Sequence, residues 1–439
     1  VFICVVIGLV FAPLRVGAAP WLFVSDVHLD PASQDPVPVA MGVDTNGALL
    51  TSALRAMRAV DPDAPVVFIT GDFFAHHFRY ATAHATMARI AREFGRAFPH
   101  AQFVIALGNE DSGCGDYRLA PDAPFLRDTA TVWARLVDPH GEAPDFVRTF
   151  SHNGSYVTRL PLRIRAFVAD DVFWSPWYRA GCGGNRAVPD GTLDALARAF
   201  PPDGGRRRWI VAHIPPGIDA FSSVWVAHRL AAVPFLRASA QDALLALLAD
   251  DRRGIALLLD AHTHKFAYRI AGASGRVQVP VLLIPSVSPY FGNAPSFLTV
   301  DVAADGTIRD ASVHAYNGRD WRDIGGLHSL GLPAFTAPEL TALQARLARD
   351  PELRAAFAQL YDGGVAQPEI DEHDWRAYWC TATGLTPAAY RACVGSGGVG
   401  LLTGRGVSLI AAGAVACALL VLAAVLLARR RAFAGSRGA

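Results

Sequence analysis

Lysine is nearly absent from this chain. Among 40 basic residues only Lys265 is a lysine, and the rest are arginines dispersed along the sequence. With 39 acidic residues the formal net charge is +1, so no global field steers an acidic or basic partner, and no nucleic-acid partner is expected. Methionine numbers 3 and cysteine 6, and no close C-x₂-C pair suggests a zinc knuckle. Internal repeats and long low-complexity tracts are lacking too. What remains is 439 residues, enough for one large domain with a sizeable core and additional pieces.

Hydrophobic residues make up 52% of the chain, with a surplus at both ends. Residues 2–14 are almost wholly apolar and lead into Val16-Gly17-Ala18, the pattern of a signal peptide over residues 1–19. An uncleaved anchor or a buried strand is the alternative. Residues 407–428 are uncharged and then meet Arg429-Arg430-Arg431. As a helix this stretch is about 33 Å long, against a hydrocarbon core of about 30 Å. It is expected to be a transmembrane helix, with 429–439 as a cytoplasmic tail and everything before it lumenal or extracellular. A buried globular helix is the competing reading. Residues 395–406, rich in glycine, read as its linker.

Cys4 and Cys417 fall in these terminal segments, leaving Cys114, Cys182, Cys380 and Cys393. An even set in an exported region reads as two disulfides, and four cysteines allow three connectivities. Cys114–Cys182 with Cys380–Cys393 is favoured because each pair lies within one region of the chain. Asn153-Gly-Ser155 is a glycosylation sequon.

Between the ends, short apolar runs keep stopping at polar residues. Trp21-Leu-Phe-Val-Ser precedes Asp26-Val-His28, Val66-Val-Phe-Ile-Thr precedes Gly71-Asp72, and Phe103-Val-Ile-Ala-Leu precedes Gly108-Asn109. Trp209-Ile-Val-Ala precedes His213, and Ile255-Ala-Leu-Leu-Leu precedes Asp260 and His262-Thr-His264. Such runs read as buried strands whose C-terminal ends carry a site. Helical patterns at about 47–60, 81–98, 125–136, 192–200 and 240–250 alternate with them, which predicts a layered α/β domain over 20–330. Further strands are expected at 279–284, 297–302 and 311–315. Residues 337–361 and 371–394 have helical periodicity without a ligand-like cluster, suggesting a helical C-terminal subdomain over 331–394.

The order D-x-H, G-D, G-N, a lone His and H-x-H resembles the calcineurin-like metallophosphoesterases. Three details are similar to the acid sphingomyelinase-like branch: Pro-Pro-Gly after His213, His76 following Asp72, and Pro285-Ser-Val-Ser-Pro-Tyr-Phe-Gly-Asn293. Two positions depart from the pattern, Ala261 for Gly and Glu110 for the usual His. The resemblance implies a β-sandwich of two mixed sheets flanked by helices. It also implies two metals, one held by Asp26, His28, His264 and a shared Asp72, the other by Asp72, Asn109, His213 and His262. The donor set favours zinc, with manganese or iron open. A bridging carboxylate suits two dications at one phosphorus, and hydroxide made available by the metals would attack there.

The leaving group needs a proton, and with Glu110 in place of His the expected donor is His76, with His77 and His152 as alternatives. Glu110 serves only if burial raises its pKa against the pull of nearby cations. The expected function is therefore a membrane-anchored two-metal phosphodiesterase for nucleotide-like or sphingolipid esters. An endopolyphosphatase acting on polyphosphate is the alternative, and a catalytically weakened, receptor-like metal binder is the third reading.

Overall fold

The computed structural model describes residues 19–184, 191–203, 205, 207–226, 232–272 and 277–395. Twelve strands form two mixed sheets. They are β1 (Trp21–Val24), β2 (Val66–Thr70), β3 (Gln102–Ala106), β4 (Tyr156–Leu160), β5 (Ile164–Val168), β6 (Arg208–Val211), β7 (Ile255–Asp260), β8 (Ala267–Ala271), β9 (Val279–Leu283), β10 (Ser296–Val302), β11 (Ile308–Tyr316) and β12 (Trp321–Gly326). One sheet runs β12-β11-β10-β1-β2-β3, the other β8-β9-β7-β6-β5-β4.

Each sheet has a parallel centre. β1, β2 and β3 run together with Leu22 opposite Val67 and Val66 opposite Gln102, while β6 lies parallel to both β5 and β7. Parallel strands covered on both faces need apolar side chains at every position, and β1, β2, β3 and β6 are buried throughout. Trp21 and Phe68 of the first sheet meet Trp209 of the second at ring distances of 5.5 and 6.2 Å, which locates the core between the sheets. Because the parallel strands end on one side, the loops that follow them converge there.

Helices cover the outer faces. Those of the first sheet are α1 (Gly47–Val60), α2 (Ala83–Ala97) and α3 (Pro124–Val137). The start of α1 is set by Asn46, whose side chain accepts from the Leu49 amide, and its buried stripe is Leu49, Leu50, Ala53, Leu54 and Met57. Three more follow: α4 (Phe146–Asn153), α5 (Gly191–Ala199) and α6 (Ala238–Leu248). The sequon residue Asn153 closes α4, half-buried, ahead of a left-handed Gly154.

The C-terminal region folds as four short helices, α7 (Ala337–Leu347), α8 (Pro351–Tyr361), α9 (Trp375–Thr381) and α10 (Pro387–Gly395). The single period over 337–361 breaks at Pro351, which cannot continue a helix but suits the first turn of a new one capped by Asp350. These helices dock on edge strand β8, where Tyr268 Oη donates to Gln344 Oε1 (2.6 Å) and the Ile270 amide to the Ala382 carbonyl (2.7 Å).

Both disulfides form in the favoured pairing, Cys114–Cys182 and Cys380–Cys393. The second spans 13 residues between α9 and α10, so its loss should cost about 3 kcal/mol by the loop-entropy relation. Cys380→Ser with Cys393→Ser should lower the melting temperature and raise amide exchange in α9 and α10. Unchanged exchange there would refute this.

One part of the expected fold is corrected. The two sheets and flanking helices are present, but no helix among the described residues is long and apolar enough to cross a membrane. The longest elements are amphipathic helices of ordinary domain length, such as the 15-residue α2. Residues 407–428, expected to span, lie outside the described residues, as do the 396–406 stretch, the 429–439 tail and signal residues 1–18.

Candidate metal centre

Each expected ligand follows a strand of the parallel centres: Asp26 and His28 after β1, Asp72 after β2, Asn109 after β3, His213 after β6, and His262 and His264 after β7. Five of these seven adopt left-handed backbone: Asp26 (φ 47°), His28 (41°), Asp72 (52°), His262 (65°) and His264 (62°). Each such residue costs of order 1–3 kcal/mol unless its surroundings enforce it, and strain of this kind gathers at functional sites. The motif glycines explain the enforcement. A Cβ on Gly71 would sit 2.7 Å from both the Gly108 nitrogen and His213 Nδ1, and one on Gly108 would fall on the Asp72 carboxylate.

The side chains close into two half-sites that share Asp72. Asp72 Oδ2 lies 3.5 Å from His28 Nε2 and 3.2 Å from His213 Nε2. On one side, His28 Nε2 and His264 Nε2 are 3.1 Å apart, and Asp26 Oδ1 is 3.8 and 3.5 Å from them. Donors about 2.0–2.2 Å from one ion at tetrahedral angles are separated by roughly 3.3–3.6 Å, so the spacing fits a shared cation. On the other side, Asp72, His213 and His262 form a second group of donors. Asp72 Oδ2 thus faces donors of both half-sites, while Oδ1 accepts from the Glu110 amide at 2.8 Å.

Buried polar atoms without partners test the fit further. Both carboxylate oxygens of Asp26 and Asn109 Oδ1 are buried without a hydrogen-bond partner, while His213 Nε2 has the Asp72 carboxylate beside it. Two of the seven expected ligands thus hold buried oxygens with unsatisfied lone pairs, a costly state that bound cations relieve. Loss of hydration depresses His28 to about 4 and His262 to about 3, keeping both imidazoles neutral as ligation requires. Burial lifts Asp26 to about 7, while on Asp72 burial is outweighed by His213 and the other imidazoles, which hold it below the usual carboxylate range. Backbone carbonyls fix two rings: His28 Nδ1 bonds Phe74 O (2.8 Å) and His213 Nδ1 bonds Thr70 O (2.7 Å), aiming each Nε2 inward.

The expected proton donors separate clearly. His76 joins the centre, grouped with His28 and His264, its ring stacked on His28 at 4.3 Å and on Tyr290 at 4.0 Å. Asp44 orients it by accepting from His76 Nδ1 (2.9 Å) and the His76 amide (2.8 Å). His77 is exposed, and His152 pairs with Asp122 on an exposed surface, so neither is brought to the centre. Glu110 is buried and accepts from Tyr80 Oη at 3.1 Å. Burial first, then Asp72 and Asp116, pushes its pKa to about 9.

Several supporting residues escaped sequence reading. Asp116 accepts from Asn109 Nδ2 (2.9 Å), turning the amide oxygen free. Asp171 receives the Ile214 amide (2.8 Å) behind His213, and Tyr117 Oη lies 3.4 Å from His262 Nε2. Asp111 joins two ligand loops, accepting from the Phe73 amide (2.8 Å) and the Gly108 amide (2.9 Å). Its adjacency to the G-N-E motif was the one available signal. Asp111→Ala orphans two buried N–H groups, so we expect about 2–6 kcal/mol lost in denaturant unfolding. Metal affinity should also weaken about 10–100-fold. Wild-type affinity in that variant would contradict the bracing role.

No protein-family model matches the sequence. Among curated proteins the chain is similar to "Sphingomyelinase phosphodiesterase D" of Dictyostelium discoideum, 22% identical over 275 residues, covering 58% of this chain and 56% of that protein. It is also similar to "Acid sphingomyelinase-like phosphodiesterase 3b" of Mus musculus, 23% identical over 317 residues, covering 65% of each. It therefore spans less than two thirds of the length of either relative. Among solved structures, a dimetal phosphatase from Danio rerio aligns over 70% of this chain and 99% of its own, with 12% identity and a TM-score of 0.43. The two curated relatives bear out the resemblance carried by the motifs.

Proposed function

We propose that this chain, similar to the acid sphingomyelinase-like branch of the metallophosphoesterases, hydrolyses phosphoric esters, most naturally diesters, at a two-metal centre. The observation that carries the reading is Asp72 Oδ2 set between two half-sites whose imidazole and carboxylate donors are held by strained, glycine-enforced loops. Asp26, His28, His264 and Asp72 would hold one divalent ion, and Asp72, Asn109, His213 and His262 the other. Such a pair supplies Lewis acidity at phosphorus and a lowered pKa for water.

The chain's own residues do the rest. Asp72 keeps its charge at the centre by accepting the Glu110 amide while facing both half-sites. His76, clamped by Asp44 and stacked between His28 and Tyr290, holds a proton for the departing oxygen. Zinc is the metal we favour, and the two disulfides agree with an oxidising, secretory compartment.

The test is a substrate screen of metal-replete protein against nucleotide phosphoesters, sphingomyelin and polyphosphate. Turnover of a phosphodiester, abolished by chelation and restored by metal, is the expected result. Preference for polyphosphate would favour an endopolyphosphatase, and metal binding without turnover would favour a receptor-like protein.

A further inference from the structure

Phe221 (45% exposed), Trp225 (54%) and Phe291 (44%) are three of the large hydrophobic side chains the fold leaves open, and they meet around one depression of about 360 Å³. Scattered exposed apolar residues need no explanation, but three rings on one concavity do. The depression adjoins the metal centre. Phe291 presents its ring edge-on to His264 at 4.7 Å and to His76 at 5.4 Å, so one wall of the depression is also a wall of the centre. Trp225, which also lines the depression, is held by its indole N–H donating to Tyr378 Oη at 3.2 Å.

The floor decides what charge fits. It is built by Lys265, the only lysine of the chain, with Asp362 and Glu369. Lys265 Nζ bonds Asp362 Oδ1, lies 3.1 Å from Glu369 Oε2, and donates to the Phe291 carbonyl at 3.2 Å. The ammonium is thus taken up by two carboxylates, and no arginine lines the depression among the described residues. An anionic group placed there gains no counter-charge and meets a floor with more acid than base. An uncharged apolar group gains three aromatic side chains, and ligand pockets are lined mainly by such groups.

We propose that this depression is the subsite for an uncharged, apolar substituent of the phosphoester whose phosphorus sits at the metal centre. The proposal rests on the phosphoesterase reading above and narrows it, setting substrates with an apolar arm ahead of linear polyanions. Trp225 and Phe291 are its specificity-determining walls, and Lys265 positions Phe291 through its backbone carbonyl.

Binding of phosphonates, whose P–C bond the centre cannot hydrolyse, separates this from catalysis. Calorimetry on the full, metal-replete chain compares methylphosphonate with octylphosphonate and 2-naphthylphosphonate, which distinguish a chain from a ring as the occupant. At least one apolar phosphonate should bind about ten-fold or more tighter than methylphosphonate. Trp225→Ala and Phe291→Ala should each bring that ratio toward one, and Trp225→Phe should retain most of it. A naphthylphosphonate carrying an added carboxylate should fall back to the affinity of methylphosphonate. A ratio near one in the unmodified protein, a ratio untouched in both alanine variants, or full affinity for the carboxylated phosphonate overturns the subsite while leaving the phosphoesterase reading intact. Failure of every phosphonate to bind overturns both.

Discussion

Asp72→Asn should leave the protein folded and nearly inert toward every phosphoester. Asparagine tolerates the left-handed backbone that Asp72 adopts (φ 52°), and its amide oxygen can still accept the Glu110 amide. The change relieves repulsion with buried Asp26 but also takes away the carboxylate that His213 and His28 face, so the apo protein should lose some stability and still fold. What disappears is the anionic oxygen lying 3.5 Å from His28 Nε2 and 3.2 Å from His213 Nε2. Asp26 remains on one side and only neutral donors on the other, and without the shared charge two dications repel across a few ångströms. The loss of kcat/KM should exceed the roughly 10²–10³-fold that follows removal of a single stabilising donor. Retained activity in a well-folded variant would show that Asp72 is not the bridge.

His76→Ala should discriminate between esters. If its imidazole protonates the departing oxygen, an alkyl ester with a poor leaving group should slow by about 10²–10⁴-fold, while a nitrophenyl ester should hardly respond. Asp44→Asn should reproduce part of the effect, because Asp44 holds both His76 Nδ1 and its backbone amide. Glu110 is the rival donor, buried against Tyr80 and raised in pKa by its surroundings. Should Glu110→Gln show the selective loss and His76→Ala slow both esters alike, the assignment passes to Glu110.

The ligand-bearing half of the fold was legible because parallel, doubly covered strands leave uninterrupted apolar runs. Val66-Val-Phe-Ile-Thr and Trp209-Ile-Val could hardly be anything else. The strands that went unseen carry charge. β4 and β5 hold exposed Arg159 and Arg165 around a tight turn at Pro161, and β8 hides Arg269 in the interior. β4 pairs with β5 across that turn and β8 with the next strand, β9, but the charged side chains interrupt the apolar runs that periodicity registers.

The same division runs through the site. Ligand types and order could be read because coordination demands particular residues after particular strands. Asp44 and Asp116 are ordinary loop acids until folding brings Asp44 to His76 across 32 positions and Asp116 to the Asn109 amide. That Asp72 turns Oδ2 toward both His28 and His213 goes with its Oδ1 accepting from the Glu110 amide, a backbone contact no motif encodes.

The central claim is that two metal ions share Asp72. Native mass spectrometry of the purified, metal-replete protein, with elemental analysis of the same sample, counts them directly. The account predicts two divalent ions per chain, falling to one or none in Asp72→Asn. No bound metal in the wild type, or two retained in the variant, would contradict it.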